Sequence, residues 1–194
     1  MEEVNALRGI DVYLIDQLMK GTVDRESKIL DAGCGSGRNI HYLIQQGFDV
    51  TAFDGNQELI TSLKTLHAET NAHFLHSTVE DFASESKFDF IICNAVLHFA
   101  RNHAHFDAMF RSLVALLSNN GVLFIRMTSD IGLPMDHSEE NGVYLLLDGS
   151  TRYLLTREKV DELLRAHSLS LLEPVKTVKV EELRCMTTLV LRKN

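Results

Sequence analysis

The chain has 194 residues, 45% of them hydrophobic and 24% charged, a length that suits one domain spanning 1–194. Its 27 acidic against 19 basic side chains, net charge -8, and the scatter of its Lys and Arg exclude a nucleic-acid partner from the expectation. Three distant cysteines, no ~18-residue apolar run and no leader-like start point to a cytoplasmic setting without membrane attachment.

In chain order, Val4, Leu7, Leu14 and Leu18 are spaced for an amphipathic helix, which assigns 1–24 to an N-terminal helical segment. Lys28 to Ala32 reads as a first strand. Ile40, Leu43 and Ile44 mark a helix that stops at Gly47, and Val50 to Phe53 is a second strand. Leu59, Ile60, Leu63 and Leu66 give the next helix, His73 to His76 a short third strand, and Phe88 to Cys93 a fourth interrupted only by Asp89. Phe106, Met109, Phe110, Leu113, Val114 and Leu117 form the clearest helical stripe; Asn119-Asn120-Gly121 then turns the chain into a fifth strand, Val122 to Arg126. Residues 128–153 are too many for an ordinary connection and suggest a lid, with Val143 to Leu147 as a packing strand or dimer surface instead. Thr156 should cap a helix bearing Val160, Leu163 and Leu164. Leu169–Val180 and Met186–Leu191 follow without a helix between them, so they should pair antiparallel. The alternation predicts an α/β fold: three layers, doubly wound around a mostly parallel sheet.

The segment between the first strand and its helix is the most informative. Asp31-Ala32-Gly33-Cys34-Gly35-Ser36-Gly37 alternates glycines where a strand meets a helix, which lets a ligand lie against the backbone. The dinucleotide pattern G-x-G-x-x-G wants its third glycine where Arg38 stands. Asp54, ending the second strand, is placed to accept hydrogen bonds from a ribose diol, or to cap the helix that follows.

Together these features resemble the class I S-adenosylmethionine-dependent methyltransferases, whose first motif has the form D-x-G-x-G-x-G. The resemblance implies a seven-stranded sheet with a reversed last strand, and S-adenosyl-L-methionine as cofactor. It places Asp31, Gly33, Cys34, Gly35 and Gly37 at the methionine part, and Asp54, Gly55 and Asn56 at the ribose. After the third strand, Thr78 stands where the family often has an adenine-reading Asp, with Val79 beside it, so Glu80 or Asp81 becomes the alternative adenine contact. After the fourth strand, the Asn94 carbonyl would take the methionine ammonium, Ala95 would keep the wall thin, and His98 would stand near the transferred methyl as a base, or serve only packing or capping. The short, loosely patterned chain also looks like the tellurite-resistance type.

Other patterns are absent. No N/D-P-P-Y/F follows the fourth strand, where Asn94-Ala95-Val96-Leu97 stands. His103 and His105, two residues apart, point to different helix faces, so no metal site is expected. The acceptor is therefore expected to be a small molecule. Arg8 and Tyr13 would reach the methyl end, and Arg126 would orient an anionic acceptor or pair with a structural carboxylate. Two other readings stay open: a non-catalytic module that binds the cofactor and acts through a protein partner, and a nicotinamide-dependent oxidoreductase.

Overall fold

The computed structural model describes residues 7–132, 141–181 and 183–194. Helix α1 (Val12–Met19) precedes β1 (Lys28–Ala32), α2 (His41–Gln45), β2 (Asp49–Asp54), α3 (Gln57–Leu66), β3 (His73–His76) and β4 (Phe88–Asn94). A 3₁₀ turn (Leu97–Phe99) leads into α4 (His103–Leu116) and β5 (Leu117–Ser129). Next come a hairpin of β6 (Val143–Leu145) and β7 (Thr151–Tyr153), helix α5 (Arg157–Ala166), and strands β8 (Leu169–Leu171), β9 (Lys176–Val180) and β10 (Arg184–Lys193).

The main sheet runs β3-β2-β1-β4-β5-β10-β8, with β9 also paired to β10. Strands β1 to β5 are parallel, and β10 runs antiparallel to β5. β8 and β9 pair with successive halves of β10, so they share one edge position of a seven-position sheet. The chain between them contains Pro174, which has no N–H to give a ladder and is tolerated at an edge. The continuous strand expected over Leu169–Val180 is thus broken in two.

Alternate residues of the central strands face different layers. Leu30, Ile91, Cys93, Leu123 and Ile125 pack against Phe106, Phe110 and Leu113 of α4 and Val160 and Leu163 of α5. Ile29, Phe90, Ile92, Val122 and Phe124 pack against Leu14 of α1, Leu43 and Ile44 of α2, and Ile60 and Leu63 of α3. Strands covered on both faces read as near-continuous apolar runs, as these do.

Three local details differ from the sequence reading. The described N-terminal helix starts only at Val12, capped by Asp11 accepting from the Tyr13 N–H; Val4 lies outside the described residues. Asn119-Asn120-Gly121 sits inside β5 as a bulge, where the register to β4 jumps from Phe88↔Leu117 to Phe90↔Val122. Asp89 bridges that irregularity, accepting from the Lys28 N–H and from Ser118 Oγ, which explains an acid within an apolar strand. Within the 128–153 insertion, residues 133–140 with Pro134, Asp136 and His137 lie outside the described residues, and the remainder ends in the β6–β7 hairpin. Its Tyr153 is fully buried, stacked on Phe106 at 4.5 Å with its hydroxyl 2.9 Å from His103 Nδ1. Leu145 and Leu147 stand exposed, while Tyr144 and Leu146 form a small cluster with Leu154.

Candidate active site

The strand order reverses direction between β1 and β4, and the loops leaving their carboxyl ends splay apart there. A cleft of about 590 Å³ opens at that point. Gly33, Cys34 and Gly35 form one wall, Phe53, Asp54 and Gly55 a second, Thr78, Val79 and Glu80 a third, and Asn94, Ala95 and Val96 the fourth.

The glycines differ in what requires them. All three have positive φ. A Cβ on Gly33 would meet Val96 Cγ2 at 2.5 Å, and one on Gly37 would meet Leu63 at 2.7 Å. At Gly35 a Cβ would meet nothing within 4 Å. Protein packing therefore explains Gly33 and Gly37, whereas the space before Gly35 is left for something outside the chain.

Asp54 bridges two walls. Its Oδ2 accepts from the Gly35 N–H and its Oδ1 from the Asn56 N–H, both at 2.8 Å. A carboxylate offers about four acceptor positions, so capacity remains for a diol. Asp54 is not the helix cap; Asn56 is, accepting from the N–H groups of Glu58 and Leu59. Asn56 accordingly does not line the cleft, nor do Gly37 and Asp31.

Asp31 sits behind the loop, fully buried, with Oδ2 lacking any partner. Burial pushes its carboxyl up to about 7; Arg38 pulls the other way and Asp54 adds to the rise. Asn94, also buried, leaves both side-chain polar atoms unpartnered. Unmatched buried polar groups are costly unless a ligand or water completes them. An amino-acid moiety, with an ammonium to donate and a carboxylate to accept, would complete Asn94 and bring a cation to the side of the cleft that Asp31 backs, so the residues present fit an adenosyl amino acid. Ala95, in the fourth wall of the cleft, holds φ of 62°, a conformation few non-glycine residues adopt.

At the far wall Thr78 Oγ1 donates to Asp81 Oδ2 and so turns Asp81 away; Glu80 faces the cleft and pairs with His105. Burial opposes ionisation of Glu80, but the His105 contact and its backbone hydrogen bond prevail and hold its carboxyl below the usual range. His105 was visible in the sequence only as a metal candidate. Among the described residues no cluster of three or more His, Cys, Asp or Glu gathers to hold a metal ion.

A second cavity, about 280 Å³, lies beside the first, and Ala95 is the residue that lines both. His98, Arg126, Arg152, Arg184 and Asp148 surround it. His98 is buried on the 3₁₀ turn with Nδ1 unpartnered; burial first, then Arg152 and Arg184, bring its pKa down to about 4. The structure brings Arg126 and Tyr13 together, with the guanidinium 5.4 Å from the ring centre. Arg126 does pair with a structural carboxylate, Asp11, at 2.6 Å. Asp11 also donates its N–H to Asn39 Oδ1, and Arg38 Nη1 donates to the Gly9 carbonyl, so the start of α1 is fastened to the glycine loop. No sequence pattern singles out Asp11, Arg152 or Arg184; each acquires its place only through the tertiary fold.

A larger depression of about 710 Å³ lies elsewhere, along Lys28, Asp49, His73 and Phe88. These are the amino ends of the parallel strands, the wrong end for ligands in such a sheet, and among the described residues no buried unpartnered side chain lines it.

A methyltransferase-domain family model matches residues 29–121. The ubiquinone biosynthesis O-methyltransferase of Rickettsia felis is 33% identical over 116 residues, covering 58% of this chain and 46% of that protein. The chain thus spans about half the length of the curated relatives it matches. Among solved structures, the 1,6-didemethyltoxoflavin-N1-methyltransferase of Burkholderia thailandensis superposes with TM-score 0.71 at 24% identity, over 97% of this chain and 78% of that one. An S-adenosylmethionine-dependent methyltransferase of Methanosarcina mazei gives 0.74 at 18% identity, over 91% and 96%. At these identities the structural likeness establishes the fold.

Proposed function

We propose that this chain, which a methyltransferase-domain model matches over residues 29–121, is a class I S-adenosylmethionine-dependent methyltransferase and moves the sulfonium methyl group onto a small-molecule acceptor. The observation that carries the reading is the open space before Gly35, faced by Asp54 and bordered by the unpartnered Asn94, with Asp31 behind. The donor, when bound, supplies a methyl already activated by the positive sulfur, which leaves as a neutral thioether.

The chain's part is then alignment and charge. The Gly33–Gly35 backbone and Asn94 hold the amino-acid portion, Asp54 and Gly55 the ribose, and Val79 and Glu80 flank the base. Asp31 supplies a countercharge for the ammonium. Holding nucleophile, methyl and sulfur in line accounts for about 7–11 kcal/mol of barrier lowering in favourable cases. Where the acceptor is a hydroxyl, its proton must go to a base, and neutral His98 with its open Nδ1 stands on that side; such help contributes typically 10²–10⁴-fold. O-Methylation is the first chemistry to test, since the matched relatives are named O-methyltransferases. Likeness at this level selects no subfamily, the tellurite-resistance type included.

Calorimetric titration of the chain with S-adenosylmethionine, S-adenosylhomocysteine and NAD tests the cofactor. The first two should bind and the third should not; binding of NAD alone would overturn the reading. Turnover of methyl-labelled donor against hydroxylated metabolites, followed as S-adenosylhomocysteine release, tests transfer.

A further inference from the structure

We propose that the cavity beside Ala95 takes the acceptor by an oxyanion, a carboxylate or phosphate, gripped by Arg126, Arg152 and Arg184. The inference rests on the methyl-transfer reading and names the class of molecule that enters opposite the donor. In a chain of net charge -8, three arginines meet at one small cavity, and among the described residues Asp148 is the one acid lining it.

None of the three is fully used by the protein. Arg126 gives Nη1 to Asp11, yet its Nε is buried without a partner. Arg152 donates Nη1 to the Thr151 carbonyl at 2.7 Å and lies 4.8 Å over the Phe99 ring, which stiffens the side chain without neutralising it. Arg184 meets Asp148 at 3.2 Å across a half-exposed pair, of the kind that contributes little. Guanidinium forks match carboxylate and phosphate geometry, and such charge-assisted bonds are roughly twice as strong as neutral ones.

His98 gives a second, independent sign: its side chain is only 7% exposed and its Nδ1 is unpartnered in the same cavity. Burial, then Arg152 and Arg184, disfavour its protonated form. An anion lodged between those arginines would offset their field and make His98 a better proton acceptor only once the acceptor is in place. The cavity volume, about 280 Å³, is at the low end of ligand pockets, roughly 300 Å³, which favours a metabolite-sized molecule. Anchored at the arginines, its other end faces Ala95 and the donor cleft.

The test uses the whole chain, with and without S-adenosylhomocysteine, titrated with 4-hydroxybenzoate, 4-hydroxyphenyl phosphate and neutral 4-hydroxybenzamide. At least one anion should bind about tenfold or more tightly than the amide, and whichever of the two binds better identifies the source of the charge. Arg152→Gln and Arg184→Gln, both at the cavity rim, should each remove most of that preference while S-adenosylhomocysteine affinity stays unchanged. Equal binding of amide and anions, or a preference that survives the double substitution, overturns the proposal. Failure of S-adenosylhomocysteine to bind would instead overturn the cofactor reading, and the ligand-free titration would still decide the anion question.

Discussion

Gly35 and Gly33 make opposite demands on a methyl group. Alanine at Gly35 meets no protein atom, so its cost is the left-handed backbone, about 1–2 kcal/mol, while the added Cβ intrudes where the donor would lie. Gly35→Ala should therefore fold and lose donor affinity by about tenfold or more, ~1.4 kcal/mol, measured by calorimetry beside a urea melt. Gly33→Ala, driven against Val96, should lose folding stability first. Asp31 makes a related trade. Its folded pKa, raised from 3.8 to about 7, means the native chain holds a proton that the unfolded chain has released. Ligand-free stability from this group is thus present below pH ~4 and declines as pH rises to about 7. Asp31→Asn should flatten that decline, a gain of at most about 4 kcal/mol at pH 8, and weaken donor binding. In the parent chain donor affinity should strengthen over the same window, since the ammonium favours the ionised carboxylate. Stability unchanged between pH 4.5 and 7.5 would refute this account.

Helix α1 is latched at its start by one buried residue. Asp11 caps it through Oδ1, neutralises Arg126 through Oδ2 and donates its N–H to Asn39. Asn is as good an N-cap as Asp, so Asp11→Asn isolates the charge: Arg126, mostly buried, is left without its carboxylate. Removing one partner of a buried pair costs roughly 3–5 kcal/mol; the partial exposure of Arg126 puts the expected loss near the lower figure, about 3, read from denaturant midpoints. A loss no greater than at an exposed site would mean α1 is not latched this way. The central strands and helix stripes were legible because burial on a pleat or a helix imposes periods of two and 3.6 that survive in the sequence. The bulge at Asn119–Gly121 was not, since the same residues serve a turn and a bulge alike. The split at Pro174 needed knowledge that the strand lies at an edge. That Gly33, Gly35, Asp54, Val79 and Asn94 line one cleft was legible because parallel sheets open a crevice at strand ends, whereas Asp31, Gly37 and Asn56 were read as lining it and do not. Arg152, Arg184 and Asp11 were not, because their meaning depends on partners far away in sequence.

At the scale of the molecule, a ligand that completes Asn94 and draws charge onto Asp31 relieves costs that the empty fold carries. Binding should show as stability: at a hundred times its dissociation constant S-adenosylhomocysteine adds about 2.7 kcal/mol, a rise of roughly 5–11 °C in melting temperature for a domain of this size. NAD should leave the melt unmoved, and a thermal scan with both compounds separates the cases. The antiparallel β10 contributes to this design. Its register from Cys185↔Ser129 to Arg192↔Val122 brings Arg184 at its start to the same end of the sheet as Arg126 on β5, so the reversed strand furnishes the second cavity as well as closing the sheet.

The thin partition at Ala95 has a consequence of its own. A single methyl side chain, on a backbone twisted into an uncommon geometry, is all that this position interposes between the two chambers. Enlarging it, as in Ala95→Leu, would set a branched side chain where the two chambers meet, so methyl passage should suffer more than the affinity of the donor alone.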